Sequence, residues 1–150
     1  MASQIAGKAQ LRNTYGTKVE RAAATLPATG NQTIFNVVGG RCLITGIVGE
    51  VTTVMSATAT NVKLTAVGTA SAVATDLCTN VAVTSATVGT LLSPTTIGSA
   101  GQTGSAVSLQ NETVVPVGIV RVTTDATNTG AMKWLVLYVP LDDGASITAA

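Results

Sequence analysis

The segment Met132–Val139, MKWLVLYV, carries the clearest β-strand pattern in the chain. Successive residues of an extended strand point to opposite faces. One face then carries Trp134, Val136 and Tyr138, and the other carries Lys133, Leu135, Leu137 and Val139. Pro140 follows and favours the end of the strand, because proline has no N–H to donate to a neighbouring strand.

The composition of the rest of the chain favours the same class. Apolar residues make up 46% but aromatics only 3%, so the apolar share is mostly Ala and Val with some Leu and Ile. Val, Ile and Thr suit a pleated, half-buried surface. Further strands are predicted at Thr33–Val38, Arg41–Val54, Val62–Val67, Ala70–Ala74, Val81–Val83, Thr90–Leu92, Val107–Leu109, Glu112–Val117 and Ile119–Thr123. This spacing predicts an all-β fold, a jelly-roll-like sandwich or barrel of about eight to ten short strands.

The chain is divided into two parts by its composition. Residues 1–25 hold four of the eight basic residues, and residues 26–150 form a single β domain that opens on a turn at Leu26–Asn31. We predict an extended N-terminal arm over 1–25, with a short helical turn as an alternative near Val19–Ala24. The arm residues expected to bind a partner are Ile5, Lys8, Leu11, Arg12 and Tyr15. A disordered tail is the competing interpretation.

Some positions within the predicted strands indicate local irregularity or unusual pairing. Gly46 and Gly49 favour a bend or bulges in the strand that follows Arg41. Pro116 lies inside an apolar run, which places it at a sheet edge or a bend. Arg41 and Arg121 both fall in apolar strands and need partners, for which Glu50, Glu112 or a neighbouring subunit are the candidates.

Residues that carry chemistry are scarce. The chain has no His, which removes the commonest general base and metal ligand. Asp142 and Asp143 precede Gly144, and turn chemistry explains them better than a calcium site, which needs about six to eight oxygens. Cys42 and Cys78 are predicted to be buried thiols rather than a disulfide. We therefore predict no enzyme, no catalytic residues, no metal and no cofactor.

Trp134 and Tyr138 share a strand face and admit two interpretations. Together they could line a sugar-binding site, which would make the protein a carbohydrate-binding β module. A single Trp on an apolar strand more often belongs to a core or an interface. The core or interface interpretation is therefore the one we favour.

The surface charge indicates assembly. Charged residues make up 10% of the chain and the net charge is +1, whereas small free monomers usually keep themselves soluble with a charged surface. A homo-oligomer, or a place in a larger assembly, is therefore expected. Neither a basic stripe for nucleic acid nor a transmembrane span is evident, and residues 1–10 show no secretion signal.

Three C-terminal segments carry a family resemblance: Gly118–Val120, Thr129–Trp134 (TGAMKW) and Tyr138–Ala145 (YVPLDDGA). They resemble the end of small virion structural proteins of tailed bacteriophages, and in particular capsid decoration (cement) proteins. That family implies a protein, often a trimer, that sits on the outer head lattice, clamps the neighbouring capsomers of the major capsid protein and resists internal DNA pressure.

The resemblance implies no catalytic residues. It also implies a virion location, on the capsid surface, for a protein made in the host cytoplasm. A tail, head–tail connector or fibre-base component is the alternative within the virion.

Overall fold

The computed structural model describes residues 16–94, 102–104 and 112–150, and these form two antiparallel sheets packed as a β sandwich. The strands are β1 Thr17–Thr25, β2 Gly30–Val38, β3 Cys42–Thr53, β4 Asn61–Gly68, β5 Ala74–Asp76, β6 Val81–Ala82, β7 Leu91–Ser93, β8 Gln102–Gly104, β9 Thr113–Val115, β10 Gly118–Thr124, β11 Ala131–Pro140 and β12 Ser146–Ala149. The predicted all-β class is confirmed, whereas the jelly-roll arrangement stays a prediction.

The long strands occupy the middle of each sheet. Sheet A has the order β1-β11-β3-β7-β8, with β9 also paired to β3. Sheet B has the order β12-β2-β10-β4-β5, with β6 also paired to β4. Strand β11, which holds the MKWLVLYV segment, lies between β1 and β3. The chain crosses from one sheet to the other at most of its connections, so residues distant in sequence become neighbours.

The core lies between the two sheets and follows directly from the period-2 alternation. In β11, Met132, Trp134, Val136 and Tyr138 are buried, while the intervening residues are exposed or half-buried. In β10, which belongs to sheet B, Val120 and Val122 are also buried. Strand β3 contributes buried residues from Cys42 to Val51. These inner faces meet in one hydrophobic cluster.

Strand β1 corrects the description of the N-terminal part. Residues 17–25 pair with β11, so the helical turn considered near Val19–Ala24 is wrong and the segment is extended. Propensity alone left this choice open, and pairing with an available sheet edge decided it. The earlier part of the predicted arm, residues 1–15, lies outside the described residues.

The positions predicted to be irregular lie at a bulge, at a bend and in a turn. The register between β3 and β11 shifts at Thr45, next to Gly46, which confirms a bulge in this strand. Pro116 lies between β9 of sheet A and β10 of sheet B, which confirms the predicted bend. The strand expected over Ala70–Ala74 is instead a turn that leads into β5. In the described part of the chain, no helix has the length and apolar character needed to cross a bilayer.

Candidate functional site

The pair Trp134 and Tyr138 belongs to the core. Trp134 is 1% exposed and Tyr138 is 6% exposed, so neither ring lies on a surface that a sugar could reach. The Trp134 ring packs across Gly49 of β3, where an added Cβ would lie 2.7 Å from Cζ3 of the ring. Gly49 therefore makes room for the largest side chain of the core, a tertiary role that the sequence pattern alone did not reveal.

The turn acids have a structural partner. The guanidinium of Arg41 donates from Nη2 to Oδ1 of Asp142 at 2.7 Å and from Nε to Oδ2 at 3.0 Å. The Arg41 main-chain N–H also donates to Oδ2 at 2.7 Å. These hydrogen bonds and the charge of Arg41 lower the pKa of Asp142 from its ordinary 3.8 to about 2. Asp142 thus joins two connections between the sheets, in agreement with the predicted turn role.

The partner predicted for Arg41 within the chain is wrong, whereas pairing of Arg121 across a subunit boundary stays a prediction. Arg41 pairs with Asp142, and Glu50 is taken by Lys133 at 2.8 Å. Arg121 lies on the outer side of sheet B near Asp76, and its Nε is buried with no hydrogen-bond partner among the described residues. The sequence could not supply these partners, because they come from strands and loops brought together only by the sheet order.

Other acids of the described residues also stabilise the fold. Asp76 accepts from Lys63 Nζ at 2.9 Å and from Thr65 Oγ1 at 3.1 Å. The bond from Lys63 lowers the pKa of Asp76, and the charge of Arg121 acts in the same direction. Asp125 accepts from the main chain and the side chain of Asn61. The described residues bring no three potential metal ligands together.

Both cysteines are free and buried, which confirms the prediction made for them. Cys42 lies on the inner face of β3, and Cys78 accepts a hydrogen bond from the Leu64 N–H. Burial raises the pKa of both thiols. A buried thiol with a raised pKa is a poor nucleophile, because the thiolate is the reactive form.

The outer side of sheet A is unusually apolar. Leu43 of β3 pairs with Val114 of β9 and with Val139 of β11, and Leu135 pairs with Val48. We call the following set the apolar face: Leu43, Val48, Val114, Leu135, Leu137 and Val139. Val114 is 54% exposed and the other five are half-buried. All twelve described strands belong to the two sheets, so none of them covers this side.

Ion pairs border the apolar face. Lys18 and Glu20 of β1 pair at 3.1 Å along one side, and Lys133 and Glu50 pair at one end. An apolar centre with a polar, solvent-accessible rim is the usual anatomy of a protein–protein interface. The sequence signal for this surface was already present, since the second face of MKWLVLYV is also largely apolar.

A cavity of about 450 Å³ opens on the same side of sheet A, next to β1. Its lining includes Ala22, Ala23, Val48 and Leu135, together with charged residues of the rim. The register between β1 and β11 shifts between Arg21 and Ala24. Two residues of β1 with small side chains, Ala22 and Ala23, therefore lie opposite a single residue of β11. The bulge and the small side chains together create the cavity.

The outer side of sheet B has a different character, and we call it the polar face. Its β10 positions are Ile119, Arg121 and Thr123. Thr65, Lys63 and Asp76 form a hydrogen-bonded cluster beside Arg121. The hydroxyl of Thr123 donates to the side-chain oxygen of Asn31 in the neighbouring strand β2. The polar groups of this surface therefore largely satisfy one another.

The predicted partner-binding residues Ile5, Lys8, Leu11, Arg12 and Tyr15 lie outside the described residues, so their role stays a prediction. The chain leaves the described part at Gly16, beside Tyr138 at the start of β1. No protein-family model matches the chain, and no match was found among curated proteins or solved structures.

Proposed function

We propose that this protein is a virion structural protein that assembles with copies of itself, and specifically a capsid decoration protein that binds the outer head lattice. Its partners are then further copies of the chain, with a trimer favoured, and the major capsid protein. Such a protein acts passively, since many weak contacts raise the stability of the lattice by mass action. The C-terminal resemblance supplies the virion context.

The apolar face is the observation that carries the proposal. A charge-poor monomer with partly exposed leucines and valines on one sheet has a tendency to associate. The charged residues of the described part are largely engaged in structural ion pairs, such as Arg41–Asp142 and Lys63–Asp76. The chemistry of the described surface therefore favours contact with another protein over turnover of a substrate.

The strand order supports the jelly-roll interpretation. The run β1-β11-β3-β7 in one sheet and the run β2-β10-β4-β5 in the other follow from a chain that passes repeatedly between the two sheets. Eight-stranded double sheets of this kind are used by viral capsid and lectin domains. Fold alone does not define function, so this order adds to the argument from the surface without replacing it.

Immunogold electron microscopy tests the location. Antibodies raised against the chain, applied to virions purified from the source of the sequence, are expected to label the whole head surface. Label confined to the tail or to the head–tail junction would overturn the decoration role in favour of a tail or connector component. Virions without label would overturn the virion role itself.

Mass photometry of the purified full chain tests self-assembly in parallel. A stable oligomer, with a trimer as the expected species, is predicted at micromolar concentration. A monomer under those conditions would overturn the self-association part of the proposal.

A further inference from the structure

We propose that the outer edge of β1 pairs with the same edge of a second copy, in antiparallel orientation about a twofold axis at Val19. This inference rests on the proposed self-assembly and names the strand that mediates one of its contacts. Three features of the described residues carry it: an unpaired strand edge, the direction in which the main-chain groups of that edge point, and a charge pattern that complements itself.

Strand β1 forms one edge of sheet A. It pairs with β11 on one side and is the last strand in the order of the sheet, so no described strand lies along its other side. No main-chain group of the described residues bonds to that outer side between residues 17 and 21. An edge strand of nine residues is a template for a further strand, because its unpaired N–H and C=O groups can extend the ladder.

The neighbouring strands show which main-chain groups of β1 point outward. Val51 of β3, which pairs with Met132 of β11, bonds through its N–H and its C=O to the loop that precedes β7. Met132 therefore directs its own main-chain groups toward β1, and so does every second residue of β11 after it. Val19 lies opposite one of these residues and bonds to β11. Lys18 and Glu20, on either side of Val19, thus direct their N–H and C=O groups to the free edge.

The side chains along this edge complement one another across a twofold axis. Lys18 and Glu20 lie on the outer side of sheet A, where their side chains are 56% and 62% exposed. An antiparallel pair centred on Val19 places Lys18 of each copy opposite Glu20 of the other. A pair centred on Lys18 or on Glu20 would place like charges opposite each other, which destabilises paired strands. Of these three registers, the one centred on Val19 joins main-chain groups and opposite charges together.

The charge pattern favours a second copy over residues 1–15 of the same chain. A strand that complements this edge offers an anion to Lys18 and a cation to Glu20. Residues 1–15 contain Lys8 and Arg12 but no acidic residue, so they cannot supply the anion. A second copy supplies both charges in the required order. The zero net charge of the Lys18–Glu20 pair is therefore the property that a self-complementary contact requires.

A bulge limits the contact to a short segment. Ala22 and Ala23 interrupt the regular ladder, so the straight part of the edge ends at Arg21, opposite Thr17 of the second copy. A bulge restricts indiscriminate pairing of an edge, and the charges restrict it further to a complementary partner. Because the contact is twofold, it cannot close a trimer by itself and instead links chains of adjacent trimers.

Disulfide formation in the full chain tests the contact. Val19→Cys places two thiols opposite each other at the twofold axis, where the Cα atoms of a non-hydrogen-bonded antiparallel pair lie about 4.5 Å apart, within reach of a disulfide. Thr17→Cys is the matched control on the same side of β1, because the two copies of residue 17 are then separated by roughly 13 Å along the strands. We expect about ten-fold more covalent dimer from Val19→Cys on a non-reducing gel, since the control thiols are too far apart to bridge. The native Cys42 and Cys78 are buried.

Charge reversal tests the pairing of Lys18 with Glu20. Lys18→Glu or Glu20→Lys, each added to the Val19→Cys chain, places like charges opposite each other, so each should lower the yield of dimer about ten-fold. An equimolar mixture of the two variants, with different tags, should restore the yield as a mixed dimer, because an acidic edge then faces a basic one. Both variants lose the ion pair within the chain, so its loss cannot explain the recovery.

Sedimentation velocity of the two charge variants without the added cysteine is a second measurement, independent of any effect of Val19→Cys on folding. Residues 18 and 20 are exposed, so their reversal leaves the core in place. The weight-average sedimentation coefficient should fall in each variant and recover in the equimolar mixture.

The outcomes separate the two proposals. Equal yields from Val19→Cys and Thr17→Cys, or a mixture that does not recover, would overturn the β1 contact. If the unmodified chain is still oligomeric by mass photometry, self-assembly then stands through another surface. A monomeric unmodified chain would overturn both the β1 contact and self-assembly.

Discussion

The two outer faces of the sandwich have the same strand geometry and opposite chemistry. On sheet A, Leu135 and Leu137 point away from the core with no described strand above them. On sheet B, Thr65 and Arg121 occupy comparable positions in central strands, and Thr65 donates to Asp76. Two sheets that share one core therefore differ in what they leave for a partner.

From this difference we expect the polar face to contribute to folding and the apolar face to contribute to assembly. The polar face uses hydrogen bonds and ion pairs within the chain, so its polar groups contribute to the stability of the subunit. The side chains of the apolar face stabilise the protein further only when another segment removes them from water, because burial of apolar surface lowers the free energy. We therefore expect substitutions on the polar face to alter unfolding, and substitutions on the apolar face to alter association.

The largest effect on the free energy of unfolding is expected in β11, where two adjacent residues lie on opposite sides of the strand. Trp134→Ala should lower the free energy of unfolding by about 3–5 kcal/mol, because it empties the core position that Gly49 accommodates. Leu135→Ala should cost about 1 kcal/mol or less in the dilute subunit, since that side chain remains partly exposed.

Urea denaturation followed by circular dichroism, at several protein concentrations, measures both costs. The cost of Leu135→Ala should grow with concentration as assembly stabilises the native state, whereas that of Trp134→Ala should not. Equal, concentration-independent costs would show that the outer position also serves the core, and the contrast between the faces would fail.

An intermediate effect is expected on the polar face. Asp76→Ala removes the acceptor of the buried Thr65 hydroxyl and the partner of Lys63, which should cost about 1–2 kcal/mol of folding free energy. The oligomer distribution by mass photometry should be unchanged. Thr123→Ala, on the same face, is the control and should cost less than about 1 kcal/mol. Dissociation of the assembly by Asp76→Ala would instead place the polar face in an interface.

The smallest expected effect concerns the Arg41–Asp142 pair, which lies on connections between the sheets and on neither face. The pKa of Asp142 is depressed in the native state to about 2 from an ordinary 3.8. Its contribution to stability is therefore fully present above about pH 4 and is lost as the pH falls through about 2. Carboxyl-carbon NMR of the full chain should show this titration near pH 2.

The control for that titration is Arg41→Gln, which should return the midpoint of Asp142 toward its ordinary value and remove this part of the acid sensitivity. A midpoint near 3.8 in the unmodified chain would contradict the observed ion pair.

The sequence supports the fold class more strongly than the site. The alternation in MKWLVLYV predicted β11, and the Val/Ile/Thr runs predicted β2, β3, β4 and β10 within a few residues. The short strands β6, β7 and β9 also lie within a few residues of their predictions. Strand β5 was placed too early and β8 was not predicted, because three residues carry almost no periodic signal. The arm residues Ile5, Lys8, Leu11, Arg12 and Tyr15 stay predictions, and the apolar face was only implicit in the second, Leu-rich side of β11.

The sequence by itself determined that the protein is built from strands, that both cysteines are buried thiols and that charge is scarce on its surface. These properties depend on local alternation and composition. Only the tertiary structure decided which apolar side of β11 faces the core, since period-2 alternation separates two faces without ranking them. It also decided that Arg41 pairs with Asp142, 101 residues away, because that contact depends on the order of strands in the two sheets.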